Sequence, residues 1–467
     1  MTSNEIPSDE LQNLIAYSRE ELTINIKDIT VHSIPVWRKN IEGKFVTIPV
    51  DKLEQYLGDH SDEFTFYINK NWKNRVKDKQ PATRINGFKI ASLIKHLEQY
   101  GDVTEQTDRF RKMSIIDREE ILDQGLEQLS TIKENKDKLD LSVIISMVEV
   151  VAYTFYAHNA NLQDITESSN IRYNIQGILV KTRWILNNLI ELLRLGLYSY
   201  KDFNLIEDIT TGSTTIDHIT RVLLKFIAFC IFFNHYIDKG LITKNIRAVF
   251  KDKYVRYYSK RLDIENYSLE TIFKDGIRRI DETSELLDYS VGALLFDMGK
   301  LPDLKFHDSM NNYDENLVKK HVLNSYNMIM NAKIYPFTVS AMAAFHHELY
   351  GSRAGYNFTN AIISKLYKVT RDETKTKYFI TYDEKEFING LALAYFPVKV
   401  LEIIDIFDAL KNKKKKSVFE ALLMMKKEFI TKSLKIDPVL YNIFLEFNHI
   451  CGLIELKEFE DIESLIF

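Results

Sequence analysis

Among the histidines and carboxylates between positions 218 and 405, six are candidate metal ligands: His218, Asp297, His321, His346, His347 and Asp405. Imidazoles and carboxylates together suit divalent transition metals. A pair of such ions about 3.5–4 Å apart activates a water and neutralises charge on a phosphorane-like transition state. Hydrolysis of a phosphate ester is one chemistry that such a donor set can serve. Asp297 is informative alone, because it lies in the apolar run Ala293-Leu294-Leu295-Phe296-Asp297-Met298. A carboxylate placed there is costly unless it is paired or metal-bound. Lys300, three residues on, fits two roles, neutralising Asp297 or contacting a phosphate. His32, His60, His96, His158, His235 and His449 stand outside this pattern and read as ordinary hydrogen-bonded residues.

Ligands of this kind need rigid elements to hold them, and the sequence supplies helices. A hydrophobic share of 45%, with only 16 Gly and 8 Pro in 467 residues, predicts ordered, mostly helical structure. Ile144, Val148, Val151 and Phe155 fall on one helical face, and Leu179 to Leu197 forms another apolar helix. Asn204 to Asp217 breaks the pattern before the helix bearing His218. The apolar run Val222 to Ile237 contains Lys225, Asn234 and His235 and is shorter than the roughly 20 residues needed to cross a bilayer, so it reads as a buried helix. Ser417-Val418-Phe419-Glu420 is a capping box, and Asp437-Pro438 starts a further helix.

The N-terminal part has a different grammar. Ile29 to Trp37, Lys44 to Val50 and Phe64 to Ile68 carry β-branched and aromatic residues in short runs, as strands do. Asp51-Lys52-Leu53-Glu54 opens a short helix through Leu57, and Phe88 to Leu97 forms an amphipathic helix ended by Gly101. No catalytic constellation appears here, and sensory, docking and dimerising roles all stay open. The expected organisation is a small α/β domain (1–110), a helical connector (111–204) and an all-helical domain (205–467). The fold class is mainly α. A net charge of −4 speaks against a nucleic-acid-coating or membrane-coating protein. Two cysteines, Cys230 and Cys451, without metal-motif spacing, and an N-terminus without a signal-peptide pattern predict a cytoplasmic protein with no membrane span.

Taken in order, these motifs resemble the HD-GYP family of bacterial cyclic dinucleotide phosphodiesterases, a branch of the HD metal-dependent phosphohydrolases. Thr215 to Val222 is similar to the family's opening His with Arg-Val after it, and Phe296-Asp297-Met298-Gly299-Lys300 to its His-Asp-x-Gly-Lys turn. His321 stands for the middle His, and His346-His347-Glu348 for the His-His-Glu block. Gly351, Gly355, Tyr356 and Asn357 stand for Gly-x-Gly-Tyr-Pro, with added residues and Asn for Pro. Asp405 stands for the closing Asp before Phe407-Asp408-Ala409-Leu410. The resemblance spans roughly residues 205–455.

What the resemblance implies is a hydrolase of cyclic di-GMP with two divalent ions, iron or manganese. Asp297 would bridge them, His218 and Asp405 would hold one, and His321 and His346 the other, with His347 near a second or third metal. Lys300 would contact the scissile phosphate, and Gly355 and Tyr356 would line the dinucleotide site. The chain also departs from the pattern. Phe296 stands where the family has a ligating His, Thr214 where trinuclear members have Glu, and Lys411 to Lys416 where an Arg-Pro-Tyr-like segment is usual. His307-Asp308 offers another His-Asp pair, but in an expected loop, Asp303 to Asn312. Three readings stay open: a phosphodiesterase with a weakened site; a degenerate member, with or without metal, binding a cyclic dinucleotide or a signalling partner without turnover; and an HD phosphohydrolase acting on another phosphate ester. A homodimer is compatible with each.

Overall fold

Helical periodicity governs the chain from residue 109 onward, and each long helix is set by its caps and its apolar stripe. The computed structural model describes residues 14–18, 22, 36–39, 45–48, 53, 65–70, 109–136, 141–167, 172–195, 215–260, 267–273, 277–303, 315–348, 396–433 and 435–465. Helix α1 (Ile115–Asn135) opens on a reciprocal cap between Ser114 and Asp117. It packs on α2 (Leu141–Glu167) and α3 (Arg172–Leu195). Helix α4 (Thr215–Asp238) is the hub, buried along almost its whole length from Ile216 to Asn234.

The longer helices that follow pack on that hub or on one another. They are α5 (Glu285–Leu295), followed by a 3-10 turn (Met298–Asp303), then α6 (Glu315–Ala332) and α7 (Phe337–Phe345). After these come α8 (Phe396–Asp408), α9 (Val418–Met424), α10 (Pro438–Ile450) and α11 (Leu456–Glu463). Helix α4 touches α2, α3, α5, α8 and α10, while α7 touches α5, α6 and α8. Phe229 on α4 meets Phe444 and Phe447 on α10 edge-on, with centroids 5.7 and 5.8 Å apart. Such ring pairs contribute about 0.5–1.5 kcal/mol each beyond simple burial. The two caps expected near the C-terminus are present: Ser417 accepts from the Glu420 N–H, and Asp437 accepts from the Leu440 N–H at 2.8 Å.

The protein is mainly α, with one small sheet. Among the described residues that sheet has the antiparallel order β1-β4-β2-β3, from β1 (Leu14–Tyr17), β2 (Val36–Lys39), β3 (Phe45–Ile48) and β4 (Phe66–Asn69). β3 and β4 fall on the expected runs, and β2 overlaps the run Ile29 to Trp37 only at Val36 and Trp37. β1 matches no expected run, because Leu-Ile-Ala-Tyr has no alternation of its own and is strand only through pairing with β4, Leu14 opposite Asn69 and Tyr17 opposite Phe66. The sheet buries Val36, Trp37, Ile48, Phe66 and Ile68, which lie apart from the continuous helical core. The expected helix over Phe88 to Leu97 and the loop at His307-Asp308 lie outside the described residues.

Two apolar helices draw the question of a membrane. Val222 to Ile237 is buried within α4 as expected. Among the described residues only Val143–Leu162 of α2 has the length and composition to cross a bilayer, and most of it is buried in the protein. It is a core helix.

His158 ties three elements together. Its Nδ1 lies 2.8 Å from the Tyr335 hydroxyl beyond α6, and its Nε2 lies 2.7 Å from the Thr182 hydroxyl on α3. Burial pushes this imidazole down to about 3, so it is neutral in the fold. In the unfolded chain it protonates near 6.5, so the unfolded state binds more protons below that pH. His158 therefore removes stability as pH falls from about 6.5 toward 3, by up to about 1.4 kcal/mol per pH unit. Thermal melts from pH 7 to pH 4.5 should show a shallower decline for His158→Gln than for the parent. Equal slopes would contradict the assignment.

Candidate metal centre

Five helices deliver the six predicted donors to one place. His218 lies in the first turn of α4, one turn before Arg221, so both occupy one face. Asp405 and Asp408 are likewise one turn apart on α8, and the two helices pack together. His218 Nε2 stands 3.0 Å from Asp405 Oδ1, while its Nδ1 stands 2.7 Å from Asp408 Oδ2. Asp408 Oδ1 also accepts from Arg221 Nε at 2.6 Å and from Asn412 Nδ2 at 2.8 Å. The ring of His218 is thereby held with one nitrogen on a carboxylate behind it and the other facing the centre.

Asp297 sits immediately after α5, fully buried. Its two oxygens face different ways. Oδ1 lies 3.2 Å from His321 Nε2 and 3.8 Å from His346 Nε2; Oδ2 lies 3.5 Å from His218 Nε2. Lys300 also reaches Oδ2 with its ammonium, forming an ion pair within the 3-10 turn. The turn can approach α6 only because residue 299 is glycine. A Cβ there would stand 2.1 Å from the His321 carbonyl oxygen and 2.5 Å from the Ser325 nitrogen, both backbone atoms. The Gly299 N–H donates to Ser325 Oγ at 2.8 Å. Glycine at this position thus lets His321 reach Asp297.

His346 and His347 end α7. His346 Nδ1 is within 3.0 Å of the Ala343 carbonyl and 3.2 Å of the Met342 carbonyl. Those acceptors take its proton and leave Nε2 as the lone-pair nitrogen toward His321 Nε2, 3.4 Å away. One ring nitrogen from each of His321, His346 and His347 falls within 4.8 Å of the others. His347 Nδ1 is 4.0 Å from Asp405 Oδ2. Phe296 is buried between the two halves, edge-on to His218 (centroids 5.9 Å) and to His346 (5.0 Å).

The electrostatics follow from that packing. Burial works against a charged His218, but Asp297, Asp405 and Asp408 override it and hold the imidazole up at about 10. Burial likewise works against charged carboxylates, yet Lys300 and the histidines keep Asp297 well below the usual range. His218 does the same for Asp405 and, together with Arg221, for Asp408. Burial pushes His346 down to about 4 and His347 well below its ordinary value, so both are neutral. His346, His347 and the ionised carboxylates are thus in the protonation states that metals require, whereas His218 must give up its proton before it can ligate.

The donor set fits metal ions by a further test. His218 Nε2 and Asp297 Oδ1 are buried and make no aligned hydrogen bond. Both atoms face the other donors of the cluster at 3.0–3.5 Å and keep a lone pair or proton site open to an ion. All six predicted ligands and Lys300 converge here. Gly355, Tyr356 and Thr214 lie outside the described residues. Lys413 to Lys416 are exposed, a solvated face. Asp408 and Arg221 are contributors that sequence reasoning missed, although both stand in quoted motifs. The available signal was their spacing, each one helical turn after a ligand.

No family model matches the chain, and no curated protein matches it. A comparison with solved structures finds Bd1817, described as an HDG"Y"P protein from Bdellovibrio bacteriovorus. The alignment covers 90% of this chain and 94% of that one, at 11% identity and a TM-score of 0.34. A likeness at that level is too low to establish a shared fold.

The carboxylate behind His218 gives a test. Asp408 is one of the carboxylates that hold the His218 imidazole up. Asp408→Asn should therefore lower the pKa of His218 from about 10 in a histidine NMR titration of the metal-free protein. An unchanged titration would show that Asp408 serves Arg221 alone.

Proposed function

We propose that this chain is a metal-dependent phosphodiesterase of the HD-GYP class, acting on cyclic di-GMP in the bacterial cytoplasm. One observation carries the reading: donors scattered from His218 to Asp405 converge, in the family's order, around the buried carboxylate of Asp297. The proposal includes the division of the chain into an N-terminal α/β part (1–110), a helical connector (111–204) and a hydrolase part (205–467). Imidazole-rich sets with carboxylates suit iron or manganese. The two sides of Asp297 correspond to the class's two ion positions, one at His321, His346 and His347, the other at His218 and Asp405.

Metal ions so held supply Lewis acidity toward a phosphoryl oxygen and an acidified water. The chain's own residues do the remainder. Asp297 fixes the centre with one oxygen on each side. Asp408 and Arg221 hold His218 in one orientation, and the Ala343 and Met342 carbonyls do so for His346. Lys300, half-buried at the edge of the centre, is the cation nearest to an incoming phosphate. Gly355 and Tyr356 are proposed as dinucleotide contacts from their place in the motif.

Phe296 and the Lys300–Asp297 ion pair support a second reading, in which the fold binds a cyclic dinucleotide or a partner protein without turnover. Both features reduce the ion-binding capacity of one side. Turnover decides between the readings. Manganese-loaded, anaerobically purified protein should convert cyclic di-GMP to linear product, ahead of other cyclic nucleotides and simple phosphate esters. Asp297→Ala should abolish this, and Phe296→His should raise it. Tight binding of cyclic di-GMP without hydrolysis in both parent and Phe296→His would favour the scaffold instead.

A further inference from the structure

The two sides of Asp297 are not equivalent, and the difference lies in this chain's own residues. On the Oδ1 side stand three imidazoles and one carboxylate oxygen: His321 and His346 are buried, His347 is half-buried, and their nitrogens fall within 4.8 Å of one another. Four donors from protein make a complete set for a small divalent ion. On the Oδ2 side stand one imidazole, His218, and one further carboxylate, Asp405. The position that would add a ligand there is Phe296, whose ring packs edge-on to His218 and His346 and offers no donor atom.

Lys300 adds the second half of the argument. Its ammonium lies on Asp297 Oδ2, the same oxygen that faces His218, and not on Oδ1. The side chain is held there by the 3-10 turn, in which the Lys300 N–H donates to the Asp297 carbonyl at 3.0 Å. A metal ion and an ammonium on one carboxylate oxygen compete for its charge. Lys300 keeps partial contact with solvent while Asp297 is fully buried, so the ammonium supplies the counter-charge without being fully desolvated itself.

Resting on the metal-centre reading above, we infer that the protein holds one metal ion, at His321, His346, His347 and Asp297, and that Lys300 takes the place of the second. The Lys300 ammonium is the fixed positive charge on the His218–Asp405 side. Its attachment to Asp297 makes it a positioning residue for the bridging carboxylate as well as a cation facing the substrate phosphate. A mononuclear centre with a built-in ammonium has a different metal requirement from a dinuclear one, and it saturates at half the metal content.

Anaerobic reconstitution with manganese, followed by desalting, metal analysis and electron paramagnetic resonance, tests this without reference to turnover. The parent protein should retain one ion per chain, with the resonance of an isolated manganese ion. His321→Ala should lose the ion, and His218→Ala should keep it. Phe296→His combined with Lys300→Met should take up two ions with an exchange-coupled signal. Circular dichroism establishes that each variant is folded, and the parent measurement stands without any variant. Two ions per chain in the parent, or an ion lost with His218→Ala but kept with His321→Ala, overturns this inference and leaves the metal-centre reading intact. A parent that retains no ion overturns both.

Discussion

The structure depends on one buried carboxylate. Asp297 stands at the end of an apolar helix with no exposure to solvent, where an isolated charge would be prohibitively costly. Everything near it answers that cost. Lys300 neutralises one oxygen, and His321, His346 and His218 surround the carboxylate with nitrogens. The helices that carry these groups pack on one another, α4 on α5, α5 on α7, and α6 on α7. The core and the site are therefore one construction, and the hydrophobic stripes that bury α4 also fix the position of His218.

A second layer of carboxylates and carbonyls orients the first. Asp408 binds both His218 and Arg221, so one side chain aligns a ligand and neutralises a buried guanidinium. The pairing works because α4 and α8 each present two residues one turn apart, in matching register. Farther out, the buried Lys399–Glu402 pair on α8 and the His158 bridge between α2, α3 and Tyr335 satisfy other polar groups in the interior. Burial raises Glu402 to about 7 despite its lysine.

Much of this was legible in the sequence for physical reasons that can be named. The ligand types and their order were visible because metal chemistry restricts which residues can serve. The caps at Ser417 and Asp437 were visible because capping is local. Two features were not. Asp408 was quoted only as part of a motif, since its role depends on which face of α8 meets α4, a tertiary fact. β1 was missed because its four residues carry no alternation and are strand only through β4. The Lys300 ion pair stood among the sequence alternatives, and only three-dimensional placement puts the ammonium on Oδ2.

The central claim is that Asp297 anchors a metal ion between histidines from α6 and α7. Anomalous diffraction at the manganese edge, from crystals grown anaerobically with manganese, tests it most directly. The account predicts an anomalous peak within bonding distance of Asp297, His321 and His346. Full-length protein with ordered side chains, saturating manganese and no peak at Asp297 would contradict it.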